Sequence, residues 1–121
     1  MQLINATHGG TIFGDIQRDR GVGPHHPKRS DTDSISHGVT LAPDTRLAQL
    51  IRAPDPVNSF HVQAVAQLGA DLVLTLQSDD GLIEGFESKD GRLVGVQFHP
   101  EKLPGTTWDA LFTDLVEKAN G

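Results

Sequence analysis

Two Asp-Gly dipeptides, Asp80-Gly81 and Asp90-Gly91, punctuate three apolar runs and fix how this part of the chain can fold. Asp-Gly is a turn signal, because glycine reaches the left-handed backbone conformation that tight turns require. The runs are Leu72 to Leu76, Leu82 to Glu87 and Leu93 to Phe98. Each link is too short for the crossover that parallel neighbours need, so the three strands are expected to form an antiparallel meander.

The last stretch supplies a helix. Trp108, Leu111, Phe112, Leu115, Val116 and Ala119 recur at helical spacing and define one apolar face. Thr106 or Thr107 is placed to cap its start, Asp109 suits the first turn, and Asn120-Gly121 suits the end. Met1 to Ala6 also reads as helical, with Gly9-Gly10 as its stop. Thr11-Ile12-Phe13 is a short apolar piece expected against that helix end. Gln17 to Asp33 is polar and rich in Gly, Pro and charge, which predicts an exposed loop. Ile35 to Leu41 reads as a strand with Val39 and Leu41 on one face. Thr45 to Ile51 reads as a short helix burying Leu47, Leu50 and Ile51; Pro54 and Pro56 end it, and Val57 to Phe60 is extended.

With 121 residues the chain is at most one domain, and 36% hydrophobic content is lean for a free-standing core. A net charge of −6 argues against a general nucleic-acid footprint. No apolar run reaches membrane-spanning length, so no membrane partner is expected. No charged-then-apolar leader opens the chain, which makes the cytoplasm the default location. Without cysteine there are no disulfides and no thiolate metal sites. His25-His26 has no acidic or cysteine partner at ligand spacing, so neither a metal nor another cofactor is expected.

The chemistry-bearing residues gather at strand ends. His99-Pro100-Glu101 closes the third strand of the meander. A neutral imidazole there can take a proton from a nucleophile, and a nearby carboxylate can set its tautomer and stabilise the imidazolium. The proline fixes the backbone between them. The bland reading is a strand-end histidine and a surface glutamate joined by a turn. Asn58 to Gln63 is a second polar cluster, following two prolines. It is either a loop whose side chains satisfy their own backbone or a substrate-facing loop offering His61 or Gln63. No second obvious nucleophile accompanies them, and a base with its orienter but no nucleophile is only part of an active site.

Together these pieces resemble a known family. Val96-Gln97-Phe98-His99-Pro100-Glu101 is similar to the catalytic His-x-Glu strand end of class I glutamine amidotransferases. Val57-Asn58-Ser59-Phe60-His61-Val62-Gln63-Ala64-Val65 resembles the signature of the gamma-glutamyl-gamma-aminobutyrate hydrolase branch, peptidase family C26. Ser78-x-Asp80-Gly81-x-Ile83-Glu84 and Leu111-Phe112 fit the same branch, and Met1 to Asn5 with Gly9-Gly10-Thr11 and Asp15-Ile16 resembles the stretch after its nucleophile elbow.

The resemblance implies an α/β fold: the C-terminal part of a flavodoxin-like three-layer sandwich, with an antiparallel meander and a C-terminal helix. It implies a cysteine hydrolase acting on gamma-glutamyl amides through a glutamyl-thioester. His99 would be the base and Glu101 its orienter; Gln2, Ser59, His61 and Gln63 would line the substrate pocket. Two departures stand out. Val62 occupies the place of the branch's usual second histidine, which bears on substrate choice. Met1 would follow the elbow almost directly, so residues 1–121 are expected to be the C-terminal part of one domain. The cysteine, the oxyanion-hole amides and the first parallel strands would lie on an N-terminal companion fragment. Such a piece is expected to be marginally stable, self-associating as a homo-oligomer, or dependent on that companion. A glutaminase part of an amidotransferase and a non-catalytic glutamyl-binding or regulatory module are the alternatives.

Overall fold

A computed structural model describes residues 1–21, 35–61 and 63–121. His25, His26 and Val62 lie outside the described residues.

The meander forms as expected. β6 (Leu72–Ser78), β7 (Ile83–Ser88) and β8 (Val94–Val96) pair antiparallel in sequence. The third strand is shorter than its apolar run, because the chain leaves the sheet after Val96. Both turns use one chemistry. Ser78 Oγ accepts from the Leu82 amide at 3.0 Å, and Ser88 Oγ accepts from the Leu93 amide at 2.9 Å. Each serine hydroxyl in turn donates to the turn aspartate, Asp80 or Asp90. Gly81 and Gly91 take φ of 88° and 74°, which only glycine adopts without strain.

The meander sits in a six-stranded sheet. β1 (Thr11–Phe13) pairs with β5 (Ala64–Gln67), β5 with β7, and β3 (Val39–Leu41) with β6, all antiparallel. β5 meets β7 at Ile83, whereas β8 meets it at Gly85 to Glu87, so two strands share one edge of β7. The run expected as a single strand over Ile35 to Leu41 is two. β2 (Ile35–His37) pairs with β4 (Val57–Ser59) in a separate ribbon, and the chain changes sheet at Gly38. A side chain at Gly38 would collide with the Asp79 carboxylate.

Helix α1 (Gln2–Thr7) and the short α3 (Arg46–Leu50) lie where expected. Thr45 caps α3 through its hydroxyl, 3.1 Å from the Ala48 amide. Leu47 and Ile51 are buried, but Leu50 is 39% exposed, since so short a helix turns few positions to the core. Part of the predicted loop is helical instead. In α2 (Ile16–Arg20), Asp15 accepts from the Arg18 amide at 3.1 Å and Gly21 closes the helix at φ 66°. Its one buried residue, Ile16, packs with Ala64 and Leu82, too little apolar content to show a period.

The main core joins Leu47, Ile51, Val57, Leu76, Phe98 and Trp108. Trp108 leads into α4 (Asp109–Asn120). The expected threonine cap of α4 is not formed. Thr107 instead accepts from the Asp55 amide at 3.0 Å and donates its own N–H to the Asp55 carboxylate at 2.8 Å, while the Thr106 hydroxyl donates to the Leu103 carbonyl. The apolar face of α4 is only partly covered: Leu111 packs on the core, but Phe112, Leu115 and Val116 are exposed. A groove of about 640 Å³ runs between α4 and β8, lined by Val94, Leu111 and Leu115.

Candidate active site

β8 delivers the chain to His99, where a single 3-10 turn (Pro100–Lys102) begins. That turn folds the Glu101 side chain back onto the ring. His99 Nδ1 stands 2.6 Å from Glu101 Oε1. Both side chains are about half-exposed, at 47% and 56%. Nδ1 facing a carboxylate is the donor, which leaves Nε2 as the atom able to take a proton. The Glu101 carboxyl is held below its ordinary range, first by its own backbone N–H and then by the hydrogen bond from His99. It therefore remains an anion, the form that steadies an imidazolium.

The dyad is framed from β4. Asn58 is buried, and its side-chain amide grips the His99 main chain from both sides. Asn58 Oδ1 accepts from the His99 N–H at 2.8 Å, and Asn58 Nδ2 donates to the His99 carbonyl at 2.9 Å. Two residues on, Phe60 packs edge-on against the imidazole, 5.5 Å between centroids at 82°. The Lys102 ammonium sits 4.4 Å from the centroid of the same Phe60 ring.

The other expected site residues are placed as follows. Gln2 donates from Nε2 to the Gln63 carbonyl at 3.2 Å and to Gln97 Oε1 at 3.1 Å. This brings Gln2 and Gln63 together and ties both to β8's exit, two residues before His99. The Gln63 contact is through its main chain, not its side chain. Ser59 is fully buried. His61 is turned inward: Nδ1 donates to the Gln63 carbonyl at 2.6 Å, and Nε2 lies 3.7 Å from Glu84 Oε1.

Glu84 is a residue the sequence reading quoted only as part of a motif. It is fully buried on β7, and His37 Nε2 approaches the same oxygen at 3.6 Å. A buried carboxylate is tolerated only with compensating charge or hydrogen bonds. Here the groups that face it are two imidazole Nε2 atoms, that of His37 on β2 and that of His61 in the loop between β4 and β5. Alternation along β7 did not single Glu84 out: Glu84, Gly85 and Phe86 are all buried, and the register against β6 shifts between Ile83 and Gly85.

The profile of the peptidase C26 family matches residues 1–101, which include the dyad, Gln2 and the Asn58 to Gln63 segment. The chain belongs to the peptidase C26 family. This C26 chain is 41% identical over 104 residues to the protein NtpR of Enterococcus hirae, a match covering 84% of this chain and 44% of NtpR. It is 31% identical over 105 residues to a glutamine-hydrolysing GMP synthase of Streptomyces avermitilis, covering 87% of this chain and 18% of that enzyme. The crystal structure of a glutamine amidotransferase from Thermotoga maritima superposes with a TM-score of 0.56 at 20% identity, over 98% of this chain and 46% of the other. The fold is thus that of class I glutamine amidotransferases, and this C26 chain spans less than half the length of NtpR. No helix among the described residues is long and apolar enough to cross a membrane.

Proposed function

We propose that this chain supplies the base and its orienter to a Cys-His-Glu site that hydrolyses gamma-glutamyl amides, with the cysteine contributed by a companion segment. The observation that carries the reading is the 2.6 Å contact from His99 Nδ1 to Glu101 Oε1. The sequence contains no cysteine, so the thiol has to come from outside these residues. In this reading His99 Nε2 takes the thiol proton, and the thiolate adds to the gamma-carbonyl. The tetrahedral intermediate expels the amine, which receives that proton from His99. The glutamyl-thioester is then attacked by a water that gives its proton to Nε2, and glutamate and the thiol are released. Glu101 stays ionised and keeps the ring in one tautomer throughout. Gln2 and Gln63, joined beside Gln97, are the residues we assign to the glutamyl end of the pocket, with Ser59 and His61 behind them.

Glutamate release from a gamma-glutamyl anilide tests this. The chain alone is expected to release none. Mixed with a polypeptide carrying the strand and cysteine elbow, it is expected to release glutamate, and His99→Ala to abolish that release. Binding of a glutamate analogue without turnover in any mixture would overturn the hydrolase reading in favour of a binding module. The similarity to a glutamine-hydrolysing synthase supports a second reading, in which the same site releases ammonia from glutamine for a partner enzyme. Preference for glutamine over gamma-glutamyl amides of larger amines would select it.

A further inference from the structure

We infer that Asn58 is the positioning residue of the His99 base: its side-chain amide fixes the main chain from which the imidazole is aimed. This rests on the reading of His99 as the base and adds a residue to it.

Three observations converge on Asn58. First, its amide satisfies both main-chain polar groups of one residue. The His99 N–H gives 2.8 Å to Oδ1, and the His99 carbonyl receives Nδ2 at 2.9 Å. This is the hydrogen-bond pattern of a strand neighbour, supplied by a side chain at the point where β8 has already ended at Val96. Second, Asn58 is held on its own side. It is 2% exposed and lies in β4, paired with β2 through Ser36. Third, residue 60, just past the end of β4, meets His99 as residue 58 does, the Asn58 amide at its backbone and the Phe60 ring at its imidazole. His99 itself is half-exposed and its carboxylate partner is only two residues away in the chain. The dyad can set the tautomer, but it cannot fix where the ring stands relative to anything else. Asn58 can, because it ties the dyad to a different part of the fold.

The test is NMR on the full chain labelled with ¹⁵N and ¹³C, following the Glu101 carboxyl titration and the His99 Nδ1–H signal. Asn58→Ala is expected to raise the Glu101 titration part of the way toward the ordinary carboxylate range and to abolish the Nδ1–H signal, with the Trp108 indole signal unmoved. An unmoved dyad in a folded Asn58→Ala chain would overturn the inference. Should that variant not fold, Asn58→Ser, which keeps one oxygen at the position, is measured in its place. A partial loss of the Nδ1–H signal upholds the inference, and an unchanged signal overturns it. The readout is independent of turnover. A dyad loosened by Asn58→Ala in a chain that never supports hydrolysis keeps the positioning role and removes the hydrolase reading. Hydrolysis with a dyad indifferent to Asn58 does the reverse.

Discussion

The indole of Trp108 lies tilted against the ring of Phe98, 4.7 Å between centroids, one residue before the base. Its Nε1–H donates to the Asp55 carbonyl at 3.1 Å, so one side chain joins α4, the approach to β4 and the exit of β8. Trp108→Ala should cost about 3–5 kcal/mol of stability, from lost burial plus the cavity left behind. Denaturant unfolding measures it; a loss under about 1 kcal/mol would show that this junction is not what holds the exit of β8 in place.

Gly95 pairs directly across from Phe86 on β7, and a side chain there would come 2.5 Å from the Phe86 ring. Phe86 is fully buried and cannot swing out. Gly95→Ala is therefore expected to destabilise by about 1–3 kcal/mol through overpacking and to shift β8 with the dyad at its end. Unchanged stability together with unchanged His99 signals would refute the close fit.

Removing one imidazole from the buried carboxylate should be worse than removing the charge. His61→Ala leaves Glu84 with one ring beside it and is expected to lose about 3 kcal/mol or more. Glu84→Gln keeps the shape without the charge and should lose less. Equal losses in parallel unfolding curves would mean that the cluster contributes through packing alone.

Acid should undo the dyad in a defined direction. The folded Glu101 carboxyl ionises below its ordinary range, so its partnership with His99 is complete above about pH 4.3. It is lost as pH falls through the lowered folded value. The Nδ1–H signal is expected to persist down through mildly acid pH and vanish below that; its loss already near pH 6 would contradict the assignment.

Phe112, Leu115 and Val116 lie exposed along α4 beside the groove against β8. Exposed apolar stripes of this kind drive association. Light scattering of the isolated chain should show a mass that rises with concentration, and Leu115→Lys should suppress the rise. A monomer at all concentrations would mean that the stripe is harmless by itself.

How legible was all this in the residues? The Asp-Gly turns announced the meander, because their chemistry is local and needs nothing from elsewhere. The His99–Glu101 pair was legible for the same reason. The switch of sheet at Gly38 was not, since Val39 and Leu41 alternate regardless of which partner they find. Leu50 was expected inside on helical spacing, but five residues of α3 make too little helix to fill a face. Asn58 could be quoted as part of a signature yet not given a role, because its partner is 41 residues away. His61 looked available for a substrate; the buried Glu84 that it faces lies on β7, 23 residues away in the chain.

The contrast between the two bonds of His99 has a consequence in time. The carboxylate is two residues away and needs only one turn of chain, whereas the Asn58 amide spans 41 residues and needs two sheets to meet. A refolding chain is thus expected to bring the two side chains within reach of each other early and to hold their hydrogen bond only late. Pulse-labelled exchange of the His99 amide hydrogen would date the second event. Its protection should arrive together with that of β4 and well after the Asp-Gly turns, so that base and orienter meet before they are held.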